Sequence, residues 1–303
     1  MFHGFVMVEH VSVSSAAVVT RFAPSPTGLL HLGHATAAWL AWNRARNAAG
    51  RFLLRVEDID PERCRPEFTA AILEDLRWLG LEWDGPVRIQ SAQLPEYRAV
   101  LDSLATRGLI YPCFCSRAEI QRELAASAHA PHDPDGAPLY PGTCRHLTRR
   151  DRAARLSADA PHAWRLDMAR ALQGAPELRF REGAAYIIAT PAIFGDVILA
   201  RRALPASYHL CSVHDDAAQG VTLITRAEDL RPATYLHRLL QHLMGWPAPD
   251  YAFFPVVTGP DGKRLSKRDN AVSLRTLRVS GMTSAHLVAR IAQYMRGQFL
   301  PHT

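Results

Sequence analysis

The chain has 303 residues, 48% of them hydrophobic and 21% charged, so it can bury one large core or two modest ones. Its net charge of +6 leans toward a polyanionic partner but is mild for this length. Five cysteines, an odd number in a long chain, exclude a disulfide-stapled scaffold and point to a reducing, cytoplasmic compartment; no apolar run is long enough to span a membrane, and Glu9 and His10 spoil the first residues as a signal peptide.

Residues 18–22 read as a short buried strand, and Pro24, Pro26 and Gly28 turn the chain after it. A helix is expected over 33–49, closed near Gly50, and "RFLLRVED" (51–58) reads as a second strand. Phe68, Ile72, Leu76 and Leu79 recur at helical spacing up to Gly80, and 95–109 reads as another helix. Strand and helix alternating at this spacing predict a doubly wound parallel sheet, the α/β fold class. Residues 110–189 break the pattern with close cysteines, a Pro-, Asp- and His-rich loop and the Arg-rich helix "LTRRDRAARL", and are expected to be an insertion. The Arg-rich run 145–155 reads equally well as a surface for RNA phosphates or as a solvated helix face. Three strands are then expected, in "GDVILARR", "ASYHLCSVHD" and "VTLITR", followed by the helix "AEDLRPATYLHRLLQHLMG" and the strand "FFPVVTG". The expected division is an extension (1–17), a catalytic domain (18–109 with 190–270), the insertion (110–189) and a short helical cap (271–303).

Two loops carry chemistry. In "RFAPSPTGLLHLGH" (21–34), Gly28 and Gly33 permit close backbone approach to a ligand, and the helix start that follows presents free N–H groups suited to phosphate. His31 and His34 are three residues apart, so both can reach the same oxygens. Neither the GxGxxG of dinucleotide folds nor the GxxxxGK[ST] of P-loops is present. A Pro-Gly turn with two surface histidines fits this stretch as well. The second loop, "DGKRLSKRDN" (261–270), holds both lysines of the chain, Lys263 and Lys267; every other basic side chain apart from histidine is arginine. A lysine is a compact, mobile point charge, where arginine is a rigid planar fork. That suits a departing phosphate group, although a solvated basic hairpin would look the same.

Together the loops resemble the paired signatures of class I aminoacyl-tRNA synthetases: "HLGH" (31–34) is similar to HIGH and "RLSKR" (264–268) to KMSKS. With "LLRVEDID", "GVTLITRAEDL" and "GKRLSKR" in the same order, residues 20–270 resemble the glutamyl-tRNA synthetase catalytic domain, a Rossmann-like fold. The resemblance implies a ligase that joins glutamate to ATP as an adenylate. It places the glutamate side chain and backbone against Arg21, Phe22, Ala23, Pro24 and Ser25, its α-ammonium at Glu57, and a second pair of contacts at Tyr208 and Arg226. It places ATP, with magnesium, at His31, Gly33, His34, Ser266 and Lys267, of which His31, His34 and Lys267 would stabilise the reacting phosphate.

Only a short tail follows residue 270, which is similar to the shortened paralogue family, the glutamyl-queuosine tRNA(Asp) synthetases. Members of that family activate glutamate without tRNA and esterify the wobble queuosine of tRNA(Asp), so the implied partners are L-glutamate, ATP and the tRNA(Asp) anticodon arm, with a monomer expected. In the insertion, "CFC" (113–115) and "YPGTC" (140–144) resemble that family's structural zinc site, with Cys113, Cys115, Tyr140 and Cys144 as ligands and His132 or His146 as competitors for the fourth place. Departures are Arg264 for the first lysine of KMSKS, "RAED" (226–229) for RGED, and Ser212 where the full-length enzyme often has Asn. A truncated synthetase charging a tRNA 3′ end, or a non-catalytic RNA-binding paralogue, are the alternatives.

Overall fold

The computed structural model describes residues 17–125, 132–134, 136–257 and 272–295. Strand β1 (Val19–Phe22) is buried throughout and lies under helix α1 (Leu32–Asn47), whose inward face is alanine-rich: Ala35, Ala38, Ala41 and Ala45 are all buried. Small side chains let the helix sit close to the sheet. The chain returns as β2 (Arg51–Val56), parallel to β1 with Val19 opposite Arg51 and Phe22 opposite Leu54. The return is tight at Gly50, where an added Cβ would lie 2.1 Å from the Val18 carbonyl oxygen. That oxygen is backbone and accepts from Arg51 N at 2.8 Å, so it cannot give way cheaply. Gly50→Ala is therefore expected to cost about 3 kcal/mol by chemical unfolding, the upper end for overpacking; a cost below about 0.5 kcal/mol, the scale of an ordinary surface change, would contradict the reading.

Helix α2 (Pro66–Trp78) opens on proline, buries Ile72 and Leu76, and leads to β3 (Arg88–Ile89), which extends the parallel sheet beside β2. Helix α3 (Leu94–Thr106) precedes β4 (Ile110–Cys113) and α4 (Arg117–Ala125). Next come α5 (Arg149–Ser157), β5 (Ala163–Leu166), α6 (Met168–Leu172), the hairpin of β6 (Arg179–Glu182) and β7 (Ala185–Ile188), and β8 (Ile198–Arg201). The remainder is α7 (Tyr208–Ala218), β9 (Leu223–Ala227), α8 (Arg231–Met244), β10 (Asp250–Phe254), α9 (Leu274–Val279) and α10 (Ser284–Met295). β9 runs parallel to β10, and β10 to β6. The Thr222 amide, just before β9, donates to Val19 O at 2.9 Å and brings β9 alongside β1. β5 pairs antiparallel with both β4 and β8. Hydrogen bonding thus interleaves across residue 189: β6 and β7 join the parallel β9–β10 pair, whereas β8 joins the strands of the expected insertion.

One expected strand is a helix. "ASYHLCSVHD" alternates apolar and polar residues, but it folds as the start of α7, capped by the Ser207 hydroxyl, which accepts from Leu210 N. Its buried residues are Leu210, Cys211, Ser212, Val213, Asp215 and Asp216, with adjacent residues buried together, which the two-residue alternation of a strand does not allow on one face. The last strand also lies earlier than "FFPVVTG", ending before Pro255.

The core has two main parts. The larger joins α3, α7 and α8 to the sheets, and the other packs α1 and α2 against Leu274, Leu287 and Ile291 of α9 and α10. In the Arg-rich run, Arg145 pairs with Asp196 at 3.2 Å, and Arg152 and Arg155 cover the rings of Tyr111 and Phe114, so part of the run serves packing. Among the described residues no helix is long and apolar enough to cross a membrane.

Candidate active site

A cavity of about 640 Å³ opens at the carboxyl ends of β1, β2 and β9, where open α/β sheets bind ligands. Arg21 and Phe22 end β1, and Ala23, Pro24 and Ser25 continue along the wall. His31, Gly33 and His34 come from the start of α1, Glu57 follows β2, Tyr208 opens α7, and Arg226 lies on β9. Every described residue expected to meet glutamate or ATP lines this one cavity. Ser266 and Lys267 lie outside the described residues. Arg63, Ser212 and Thr225 also line it. Arg63 and Thr225 were not picked out from sequence: Arg63 lies just past "LLRVEDID", and in "GVTLITRAEDL" the charged Arg226 drew the assignment rather than its neighbour Thr225.

The two histidines cap α1 reciprocally. His31 Nδ1 accepts from Gly33 N at 3.1 Å, and His34 Nδ1 accepts from His31 N at 3.2 Å. The ring centroids are 3.9 Å apart. With Nδ1 accepting in each ring, a neutral imidazole carries its proton on Nε2 and can offer it as a donor. A Cβ at Gly33 would meet the His31 ring at 3.1 Å, so the ring would have to shift by a few tenths of an ångström to admit one.

Beneath the cavity lies a buried ionic network that sequence reasoning missed. Arg21 Nε donates to Asp216 at 2.9 Å, and Arg55, fully buried, donates to the same carboxylate oxygen at 2.9 Å. Arg55 Nε also lies 3.5 Å from Glu57 and 3.8 Å from Asp215. Asp215 in turn accepts from Arg88, Gln90 and Tyr97 at 2.9–3.0 Å. A lone Arg in the apolar run "FLLRV" was the available signal, since a charge in a buried strand requires partners.

The network treats its carboxylates unequally. Burial works against the Asp216 carboxylate, but Arg21 and Arg55 more than offset it and hold its pKa below the ordinary value. For Glu57 burial dominates, Arg55 and Arg21 offset only part of it, and the nearby Asp216 and Asp215 add to it; its pKa is pushed up to about 7. Glu57 faces a shared guanidinium, while Asp216 has two close ones. On the other wall Arg226, 4% exposed, reaches Thr234 Oγ1 at 3.3 Å and His237 Nδ1 at 3.4 Å.

A second cluster lies at β4. The sulfurs of Cys113, Cys115 and Cys144 are within 4.8 Å of one another, and the Tyr140 hydroxyl is 3.3 Å from Cys115 Sγ. Tetrahedral zinc with three thiolates requires sulfurs roughly 3.8 Å apart, so the donor set and spacing fit. The Arg165 guanidinium lies 3.9 Å over the Tyr140 ring, while burial and the hydrogen bonds with Cys113 and Cys115 raise the pKa of the phenol. His132 and His146 are exposed and do not join the cluster. The other such group among the described residues, Glu96, His214 and Asp215, is engaged by Arg88, which pairs with both Glu96 and Asp215.

Residues 17–296 match the family described as tRNA synthetases class I (E and Q), catalytic domain. The chain is 48% identical over 274 residues to the glutamyl-Q tRNA(Asp) synthetase of Rhodobacter capsulatus, covering 89% of this chain and 98% of that one. It is 39% identical to the glutamate–tRNA ligase of Aquifex aeolicus, over 87% of this chain and 54% of that one. A crystal structure of a glutamate tRNA ligase from Elizabethkingia meningosepticum, in complex with its amino acid, aligns at 27% identity with a TM-score of 0.70, covering 84% of this chain and 52% of that one. The chain therefore spans about half the length of the glutamate–tRNA ligases it matches. The chain belongs to the class I tRNA synthetases, ligases of the glutamyl and glutaminyl type, within their glutamyl-Q tRNA(Asp) synthetase branch.

Proposed function

We propose that the protein activates L-glutamate with ATP in the absence of tRNA and then esterifies the queuosine at the wobble position of tRNA(Asp). The observation that carries the reading is the convergence of Arg21, Glu57 and Arg226 with the two capping imidazoles in one cavity. A glutamate zwitterion needs a carboxylate for its ammonium and cations for its side chain; Glu57 is the former, and Arg21 and Arg226 are the latter. Its α-carboxylate then attacks the α-phosphorus of ATP in line, and pyrophosphate leaves. The protein's part is positioning and charge stabilisation, with Nε2 of His31 and His34 and the ammonium of Lys267 directed at phosphate oxygens, Ser266 beside them, and magnesium accompanying ATP. A queuosine hydroxyl next displaces AMP to form the ester.

Cys113, Cys115, Tyr140 and Cys144 would hold one structural zinc, which ties the 113–144 segment together. Cys144→Ser is expected to reduce bound zinc from about one per chain to below about 0.2, read by atomic emission; full retention would remove Cys144 from the ligand set. We take residues 18–109 with 190–270 as the catalytic unit around the cavity, and place the protein in the cytoplasm, whose reducing state suits five cysteines without a disulfide. The test of function is glutamate-dependent pyrophosphate exchange without tRNA, followed by acylation of queuosine-modified and unmodified tRNA(Asp). Exchange with acylation of the modified tRNA alone is expected. Equal charging of unmodified tRNA(Asp), or charging of tRNA(Glu), would overturn it in favour of 3′-end aminoacylation.

A further inference from the structure

The two arginines of the cavity are held in opposite ways. Arg21 is paired with a carboxylate, Asp216, at 2.9 Å. Arg226 is buried, yet among the described residues no carboxylate lies within ion-pair distance of it. Both of its terminal nitrogens lie 3.4 Å from His237 Nδ1, one reaches Thr234 Oγ1 at 3.3 Å, and Nε is buried without a partner. A guanidinium only donates, so His237 Nδ1 must accept. The single proton of that ring is then on Nε2, 3.2 Å from His209 Nδ1, which accepts it. His237 is 0% exposed, and burial, with the nearby Arg226, holds both imidazoles in the neutral form, His209 at about 4. The same pair backs Tyr208, whose ring centroid is 5.3 Å from His209 and 5.6 Å from His237.

We propose that His237, oriented by His209, is a specificity-determining positioning residue: it fixes Arg226 at the cavity wall through a neutral acceptor and leaves the guanidinium charge for the substrate's side chain. The proposal rests on the glutamate-activating reading above. A carboxylate at 237 would hold Arg226 equally firmly but would cancel its charge before substrate arrives, whereas Arg21, which shares the one carboxylate of Asp216 with Arg55, keeps part of its own. With a neutral partner, a side-chain carboxylate completes a buried ion pair, whereas the carboxamide of glutamine leaves a desolvated cation unpaired. His237 thus acts on the choice between glutamate and glutamine without touching either.

The test is tRNA-free pyrophosphate exchange by the full chain with L-glutamate and with L-glutamine. Wild-type protein without glutamate-dependent exchange would sink the activating reading itself, whatever the variants do. Given that exchange, His237→Glu is expected to raise KM for glutamate at least about tenfold with kcat within about threefold, and to shrink the preference for glutamate over glutamine by at least about tenfold. His237→Gln, which keeps a neutral acceptor, is expected to hold both quantities within about threefold. An unchanged preference in His237→Glu, or an equal loss in His237→Gln, overturns the proposal. Where His237→Glu does not fold, His237→Leu carries the test: without an acceptor, glutamate KM rises at least about tenfold, and an unchanged KM overturns the proposal.

Discussion

Replacing Lys267 by alanine is expected to lower glutamate-dependent pyrophosphate exchange by about 10²–10³-fold, the scale of removing one preorganised charge from a developing oxyanion. The change should fall on kcat more than on the glutamate KM, because the charge acts on departing phosphate and not on the amino acid. The sequence sets a control beside it. Lys263 stands four residues earlier, outside the span that matches KMSKS, and Arg264 fills the first basic place of that motif. Lys263→Ala is accordingly expected to change exchange by less than about threefold, an ordinary surface effect. Lys267→Arg should recover only part of the loss, since a planar fork cannot follow a moving phosphate as an ammonium does. Unchanged exchange in Lys267→Ala would remove that residue from the chemistry.

Glutamine at position 57 is expected to do two opposite things: to weaken glutamate binding by about 100-fold or more, and to make the protein more stable at pH 8. The first follows from removing the carboxylate that meets the ammonium, a charge-assisted bond worth about 3 kcal/mol in a desolvated site. The second follows from the raised pKa of Glu57, about 7 against an ordinary 4.5. Below pH 4.5 the group is protonated in both folded and unfolded chains and costs nothing. Between 4.5 and 7 the unfolded chain ionises while the folded one retains the proton, and stability is lost with rising pH. Above 7 the full penalty remains, on the order of 3 kcal/mol for a shift of this size. Glu57→Gln, the shape of the protonated acid without its titration, should match wild type in chemical unfolding near pH 4.5 and exceed it at pH 8. The same ionisation governs binding: wild-type KM for glutamate should fall about tenfold between pH 6 and pH 8 as the carboxylate forms. A KM independent of pH across that window, or a Glu57→Gln protein less stable than wild type at pH 8, would contradict the assignment.

Much of the site is legible in short motifs because the contacts are local. His31, Gly33 and His34 build their cap within one turn of helix, so four consecutive residues suffice to specify it. Glu57 stands one residue past the end of β2, where a parallel strand delivers it to the sheet's carboxyl edge. Tyr208 lines the cavity although its segment reads as a strand in the sequence. The alternation of Tyr208, Leu210 and Ser212 imitates a strand, and only the buried pairs Cys211–Ser212 and Asp215–Asp216 reveal the helical face. The strand reading stopped at Asp215 and left Asp216 outside it, whereas α7 runs on through both and brings both acids into the core.

What the sequence by itself determined is the alternation of strands and helices in the first hundred residues, the two signature loops, and the three thiols with Tyr140. The alternation is written in local propensity, which acts over a few residues, and the loops and the thiol cluster are short stretches legible through their resemblance to family motifs. What only the tertiary structure decided is how the buried charges are shared. Arg21 and Arg55 meet Asp216 across 195 and 161 residues of chain, and Arg226 meets a histidine from a different element instead of an acid. No local pattern encodes those choices, since an ion pair in a desolvated core depends on distance and on the number of competing partners, and both exist only once the sheets and helices have packed.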